Sequence, residues 1–211
     1  MKIPAPSPAL AAACLLFLLA GCNVVPPPQE DPSRFYILSA PAAPAAPAAA
    51  PAAAGYRLAL RAVRVDGYLH RREIVVRTGG NEVSFQDYRR WAEPLESSIG
   101  RVLRQELLAQ PAVSQVLGDP LAVDAQPDFT ISVEITQCEG EVSGGRASAR
   151  FAAIVDVGAG GLGGRTLARR TYSAPAQGWD GKDYDRLAAL LSSDVAGLAR
   201  DIADSLAPAA P

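Results

Sequence analysis

The chain has little from which to build a reactive centre. Among 211 residues there are one histidine, three cysteines and one methionine. A Ser–His–acid set would have to use His70. Its neighbours Arg71 and Arg72 read as an exposed loop, and no G-x-S-x-G run supplies a nucleophile elbow. One histidine and one unmodified cysteine leave no ligand set for zinc. No catalytic residues, no metal and no cofactor are expected, so the chain reads as a non-enzyme. Long apolar runs are missing too: Ala9–Ala20 is shorter than the roughly 20 residues that span a bilayer. Aromatic residues make up 6% of the chain, and the formal net charge of -2 gives no basic footprint for nucleic acid.

What is present begins with the junction Leu19-Ala20-Gly21-Cys22. It follows a thin positive start at Lys2 and an apolar segment that ends in small residues, the pattern of a secretory signal. The junction resembles a bacterial lipobox, in which the cysteine thiol is acylated, the chain is cut before it, and the new amine is acylated as well. One acyl chain binds a bilayer marginally and two or more hold it stably, at about 0.8 kcal/mol per buried methylene. Cys22 is therefore the expected lipidation site and the membrane is held through this anchor. Asn23 follows it where aspartate signals retention at the inner membrane in enteric bacteria, which favours the periplasmic face of the outer membrane. Cys14 leaves with the signal, so Cys138 has no intramolecular partner even in an oxidising compartment. It ends an apolar alternating run and reads as a buried structural thiol.

Residues 1–21 are thus read as signal peptide and 22–32 as acylated cysteine with a Pro-rich leash. Residues 33–211 are read as a single α/β domain with an Ala/Pro-rich linker at 40–55. In that linker the recurring prolines block the helix that alanine would favour. Ser33–Ser39 reads as a short strand, and the long linker after it implies an edge strand added to the domain from a distance. Strands are expected at Tyr56–Val65, at Glu73–Thr78 with Glu82–Phe85 as a hairpin around Gly79-Gly80-Asn81, and near Val113–Leu117. Phe129, Ile131, Val133 and Ile135 alternate with polar residues, the clearest strand with one buried face. Arg146–Val157 and Arg165–Ser173 read as a further hairpin.

Two helices are expected. One opens with Pro94 near its first position, carries Leu95, Ile99, Val102, Leu103 and Leu107 on one face, and stops at Pro111. The other runs from Lys182 to about Leu206 with Tyr184, Leu187, Leu191, Val195, Leu198 and Ile202 as its stripe. Neither can bury its stripe alone. The expected fold class is α/β, a sandwich of a mixed, mostly antiparallel sheet of about six strands with two long amphipathic helices.

Gly158–Gly163 matches G-x-G-x-x-G, but a dinucleotide site needs a helix next, and Thr166–Tyr172 continues as strand. It reads as a hairpin loop. Trp91, just ahead of the first helix with Tyr88 three residues earlier, has two readings. It is either a staple under the helix start or, with its arginines, an exposed anchor for a partner. The basic pairs Arg71-Arg72 and Arg89-Arg90 are either ordinary charged surface or contacts for an acidic partner or lipid headgroups.

Gly67-Tyr68-Leu69-His70-Arg71-Arg72-Glu73-Ile74-Val75, then Asn81, then Arg90-Trp91-Ala92-Glu93-Pro94-Leu95, resembles the PqiC/YmbA family of ABC-type transport auxiliary lipoproteins. The early Arg34–Pro41 stretch after the lipobox is also typical of it. The resemblance covers nearly the whole mature chain; Arg72 departs from it, since the family often has proline there. It implies a non-enzymatic subunit of an MCE-type lipid-transport system. Such a subunit is anchored in the outer membrane, docks an MCE-domain (PqiB-like) conduit and supports envelope integrity. A PqiA-like protein or an ABC permease would be an indirect partner. Homo-oligomeric rings are a further implication. The expected partner-facing residues are Tyr68, Arg71, Arg72, Tyr88, Arg90, Trp91, Glu93 and Pro94. The alternative function is a periplasmic lipid carrier that holds an acyl chain between sheet and helices.

Overall fold

The computed structural model describes residues 30–40, 55–122, 124–160 and 164–206. The lipobox with Cys22, the leash up to residue 29, most of the Ala/Pro linker and Gly161–Gly163 lie outside the described residues. The described residues from Ser33 on cluster as one compact unit.

Alternation along the chain builds a ten-stranded mixed sheet among the described residues. Its spine is a long hairpin, β7 (Phe129–Ser143) with β8 (Arg146–Ala159), turned at Gly144 and Gly145, both at positive φ. β8 is flanked by β9 (Thr166–Ser173) and β10 (Gln177–Trp179), both antiparallel. The other edge of β7 divides. Its first half carries β2 (Tyr56–Leu60) and β3 (Arg64–Val65), both parallel, with β6 (Val113–Leu117) outside β2. Its second half carries β4 (Glu73–Arg77), then β5 (Val83–Trp91), then β1 (Arg34–Tyr36). The longest ladders are antiparallel, so the expected class holds, with more strands than the expected six. The strands not expected are the two-residue β3, split off from the Tyr56–Val65 run, and the three-residue β10, both too short to leave a periodicity to read.

Several expected boundaries move, and the strand expected over Ser33–Ser39 is confined to Arg34–Tyr36. The strand expected over Tyr56–Val65 breaks in two at Arg61–Val63. β5 runs on to Trp91 rather than ending at Phe85. Pro94 takes the cap position of α1 (Leu95–Leu108) rather than its first turn: its ψ of 134° is not helical, and its carbonyl accepts from Ser97 N and Ser98 N at 3.0 Å.

α1 and α2 (Tyr184–Leu206) lie against each other and against the sheet. Leu95, Ile99, Val102, Leu103 and Leu107 of α1 meet Leu187, Leu191, Val195, Leu198 and Ile202 of α2 in one core with Phe129, Ile131 and Ile135. The space between sheet and helices is thus filled by aliphatic and aromatic side chains. α2 starts on a polar cap, where Asp180 Oδ1 accepts from Lys182 N and Asp183 N and Asp183 Oδ1 from Arg186 N.

β7 changes parity midway. Before Thr136 its odd residues face the core; a bulge between Ile135 and Gln137 inverts the pattern. Beyond it Cys138 and Gly140 are buried toward α2, and Glu139 is turned to the opposite side of the sheet. That inversion gives the candidate site its structural floor.

Candidate functional site

The bulge leaves the carbonyl of Thr136 outside the ladder, and the Tyr68 hydroxyl donates to it at 3.0 Å. Tyr68 sits on a 3₁₀ turn, Gly67–Leu69, laid over this point. Beneath it Arg77 Nε donates to Glu139 Oε1 at 2.6 Å; the carboxylate is fully buried and the guanidinium lies 5.9 Å from the Tyr68 ring centre. Burial, with the neighbouring Glu139 carboxylate, pushes the Tyr68 phenol well above its ordinary range. The hydrogen bond to Glu139 holds Arg77 still more firmly protonated. Tyr68, Arg77 and Glu139 therefore form a locked support under the loop Gly67–Arg72.

That loop meets the end of β5 and the start of α1. Arg72 O accepts from Trp91 N at 2.7 Å, His70 Nε2 lies 3.3 Å from Glu96 Oε1, and the Arg71 guanidinium stacks 4.6 Å over Phe85. Trp91 is only 2% exposed. It registers beside Tyr36 of β1 and stands in the core, so the reading of Trp91 as an exposed anchor is corrected: its ring is not available to a partner. Glu93 is engaged as well, accepting from Arg101 Nη2 at 2.7 Å, and that bond holds its carboxyl below the usual range. Arg101 Nη2 also donates to Leu38 O at 2.8 Å, so the pair clamps β1 in place.

The structure thus sorts the eight expected partner-facing residues. Tyr68, Trp91 and Glu93 hold the scaffold, and Pro94, though exposed, caps α1. Arg71 and Arg72 are exposed, Tyr88 is 54% exposed, and Arg90 is half-buried beside Phe35 of β1. Together they make an arginine- and aromatic-rich corner at the β4–β5 end of the sheet. Sequence reasoning missed Arg77, Glu139 and Arg101. The signal for Glu139 was a charged residue at an odd position of the strand, which the bulge turns away from the helix-facing core and onto the side of Tyr68 and Arg77.

Asp183 caps α2, and Asp185 lies exposed in its first turn. Gly158 and Ala159 lie in β8, which returns as antiparallel β9 and not as a helix. Among the described residues no group of three histidine, cysteine or acidic side chains could hold a metal ion. Cys138 is buried, and desolvation raises its thiol pKa far above the ordinary value, which keeps it unreactive. No helix among the described residues is long and apolar enough to cross a membrane.

Residues 36–203 match the family model described as ABC-type transport auxiliary lipoprotein component. No curated protein matches the chain. Among solved structures it is similar to a Xanthomonas campestris protein of the DUF330 family. The identity is 14%, covering 81% of this chain and 93% of that one, with a TM-score of 0.66. It is also similar to an uncharacterised protein at 19% identity, covering 82% and 98%, with a TM-score of 0.61. At these identities the likeness shows the fold.

Proposed function

Because the chain belongs to the ABC-type transport auxiliary lipoprotein family, we propose that it is a non-enzymatic subunit of an MCE-type intermembrane lipid-transport system. In this reading Cys22 is acylated and anchors the protein at the periplasmic face of the outer membrane. The folded unit docks the end of an MCE-domain conduit; a PqiA-like protein or ABC permease is reached only through that conduit. The observation that carries the reading is the family match across both helices and nearly the whole sheet. The surface that fits it is the corner formed by Arg71, Arg72, Tyr88 and Arg90, residue types that dominate interface hot spots. The Tyr68–Arg77–Glu139 support keeps this corner preformed, which lowers the ordering cost of docking.

The test is a mild-detergent pull-down of the tagged, lipidated protein from native membranes, with mass spectrometry of what is retained. An MCE-domain protein should co-purify, and Tyr88→Ala with Arg90→Ala should reduce its recovery at least tenfold while thermal unfolding stays unchanged. Stoichiometric phospholipid with no envelope protein would overturn this reading in favour of the lipid carrier.

A further inference from the structure

β1 is the first element of the folded unit and the last strand of its sheet. Among the described residues it pairs with β5 on one side only. Tyr36 O accepts from Ala92 N across that pairing. Backbone groups alternate sides along a strand, so those of Phe35 and Ile37 face the open edge. Beside this edge runs an open groove of about 750 Å³ between β1 and the start of α2.

Two features of the groove stand out. Phe35 and Ile37 are 57% and 49% exposed, two of the four large exposed hydrophobics among the described residues. Around them stand three cations, Arg34, Arg89 and Lys182. Arg34 and Arg89 are neighbours in register, and the Arg89 guanidinium lies 5.7 Å from the Tyr184 ring centre. None of the three forms an ion pair with a described carboxylate, whereas Arg77, Arg101, Arg150 and Arg170 all do. Of the groove's two acids, Asp183 caps α2 and Asp185 is left to offset them; Asp180, just outside the groove, interacts with Lys182.

The covalent path supplies the occupant. Residues 23–33 are all that separates Cys22 from Arg34, at most about 40 Å of extended chain. No other element is so closely tied to the anchor. An added peptide strand would find only Phe35 and Ile37 to pair with, because Ser39 N is already bonded to Ser192 Oγ at 3.1 Å. Aromatic and aliphatic side chains ringed by unpaired cations match the interfacial layer of a bilayer with anionic lipid.

We infer that the open edge of β1, with Phe35, Ile37, Arg34, Arg89 and Lys182, rests on the anionic phospholipid surface that holds Cys22. The inference depends on the proposed acylation of Cys22 and on none of the partner-facing residues. It makes the anchor a two-point attachment: acyl chains hold the protein to the membrane, and the β1 edge sets which way the folded unit faces. The docking corner then keeps a fixed orientation toward its partner instead of turning on its leash.

The cysteine content makes the test clean. With Cys22 acylated and Cys138 buried, Ile37→Cys offers one reactive thiol for an environment-sensitive fluorophore. Leu108→Cys, at the far end of α1 and also exposed, is the control, and Phe35→Cys is a second variant on the edge. The full acylated protein is reconstituted in vesicles of phosphatidylethanolamine with phosphatidylglycerol and recovered by flotation. The label at 37 should be shielded from aqueous iodide about threefold relative to that at 108 and quenched by headgroup-nitroxide lipids. Arg34→Glu with Arg89→Glu should abolish both effects. Equal iodide access at 37 and 108 in floated vesicles would overturn the inference and leave the anchor intact. Shielding that nitroxide lipids do not reach and that grows with protein density would overturn it in favour of a second copy on the edge. Failure to float would remove the acyl anchor itself, and the inference with it.

Discussion

Trp91 shows how much one residue's role depends on a partner far away in sequence. Its backbone N–H is held by Arg72 O, and its neighbour in register is Tyr36, on a strand that reaches it only after the Ala/Pro linker is spanned. Removing a buried indole leaves a cavity worth about 3–5 kcal/mol, so Trp91→Ala is expected to lose that much stability in urea titration. Tyr88→Ala, at an exposed position three residues earlier, should change stability by less than about 0.5 kcal/mol. A variant Trp91→Ala that kept wild-type stability would return Trp91 to the surface. Loss of partner recovery in that variant therefore says nothing about the interface, whereas loss in Tyr88→Ala does. In the sequence both residues sit in the same arginine-rich stretch, and nothing local separates the one under β1 from the one beyond it.

At the scale of elements, what could be read in the sequence is what local periodicity carries. The helix stripes and the run Phe129–Ile135 were legible because each face is buried along its whole length. The second half of β7 was not, because the bulge at Thr136 inverts the alternation: Cys138 and Gly140 are buried toward α2 while Glu139 is buried on the opposite side of the sheet. Nor was the continuation of β5 to Trp91, whose burial comes from β1 and not from its own pattern. In the candidate site, Arg71, Arg72, Tyr88 and Arg90 were legible as an aromatic–arginine surface. The support beneath them was hidden, since Tyr68, Arg77 and Glu139 come from three elements. Gly140 tests this account of β7. A Cβ there would lie 2.7 Å from Trp179 Cζ3 and 3.3 Å from Leu187 Cδ2. Trp179 cannot swing away freely, because its Nε1 donates to Asp183 O at 2.6 Å. Gly140→Ala should therefore cost about 1–3 kcal/mol through overpacking and red-shift the tryptophan emission as the Trp179 contact opens. An unchanged melting temperature would mean that α2 and β7 are less closely set than this.

Two carboxylates are buried among the described residues: Glu139, which is paired with Arg77, and Asp194, which has no cation beside it. Asp194 faces inward from α2, buried among the sheet-facing residues. Gln177 of β10 donates to its Oδ1 at 2.6 Å, while Oδ2 has no hydrogen-bond partner among the described residues. Burial lifts its carboxyl from the ordinary range to about 6, only partly opposed by the Gln177 bond. The same charge contributes to the raised pKa of Tyr172 and Cys138, second to burial in both. A carboxyl with a raised folded-state pKa binds more protons in the native chain than in the unfolded one between the two values. Its contribution to stability is therefore full below the unfolded pKa near 4 and is lost as pH rises through about 6. Asp194→Asn retains an acceptor for Gln177 and removes the charge. It should be more stable than the wild type by about 1–2 kcal/mol at pH 7.5, with the gap closing toward pH 4, in paired urea titrations across that range. A difference that did not vary with pH would mean that Asp194 carries no desolvated charge at neutral pH, and that the α2–sheet contact admits water at its centre.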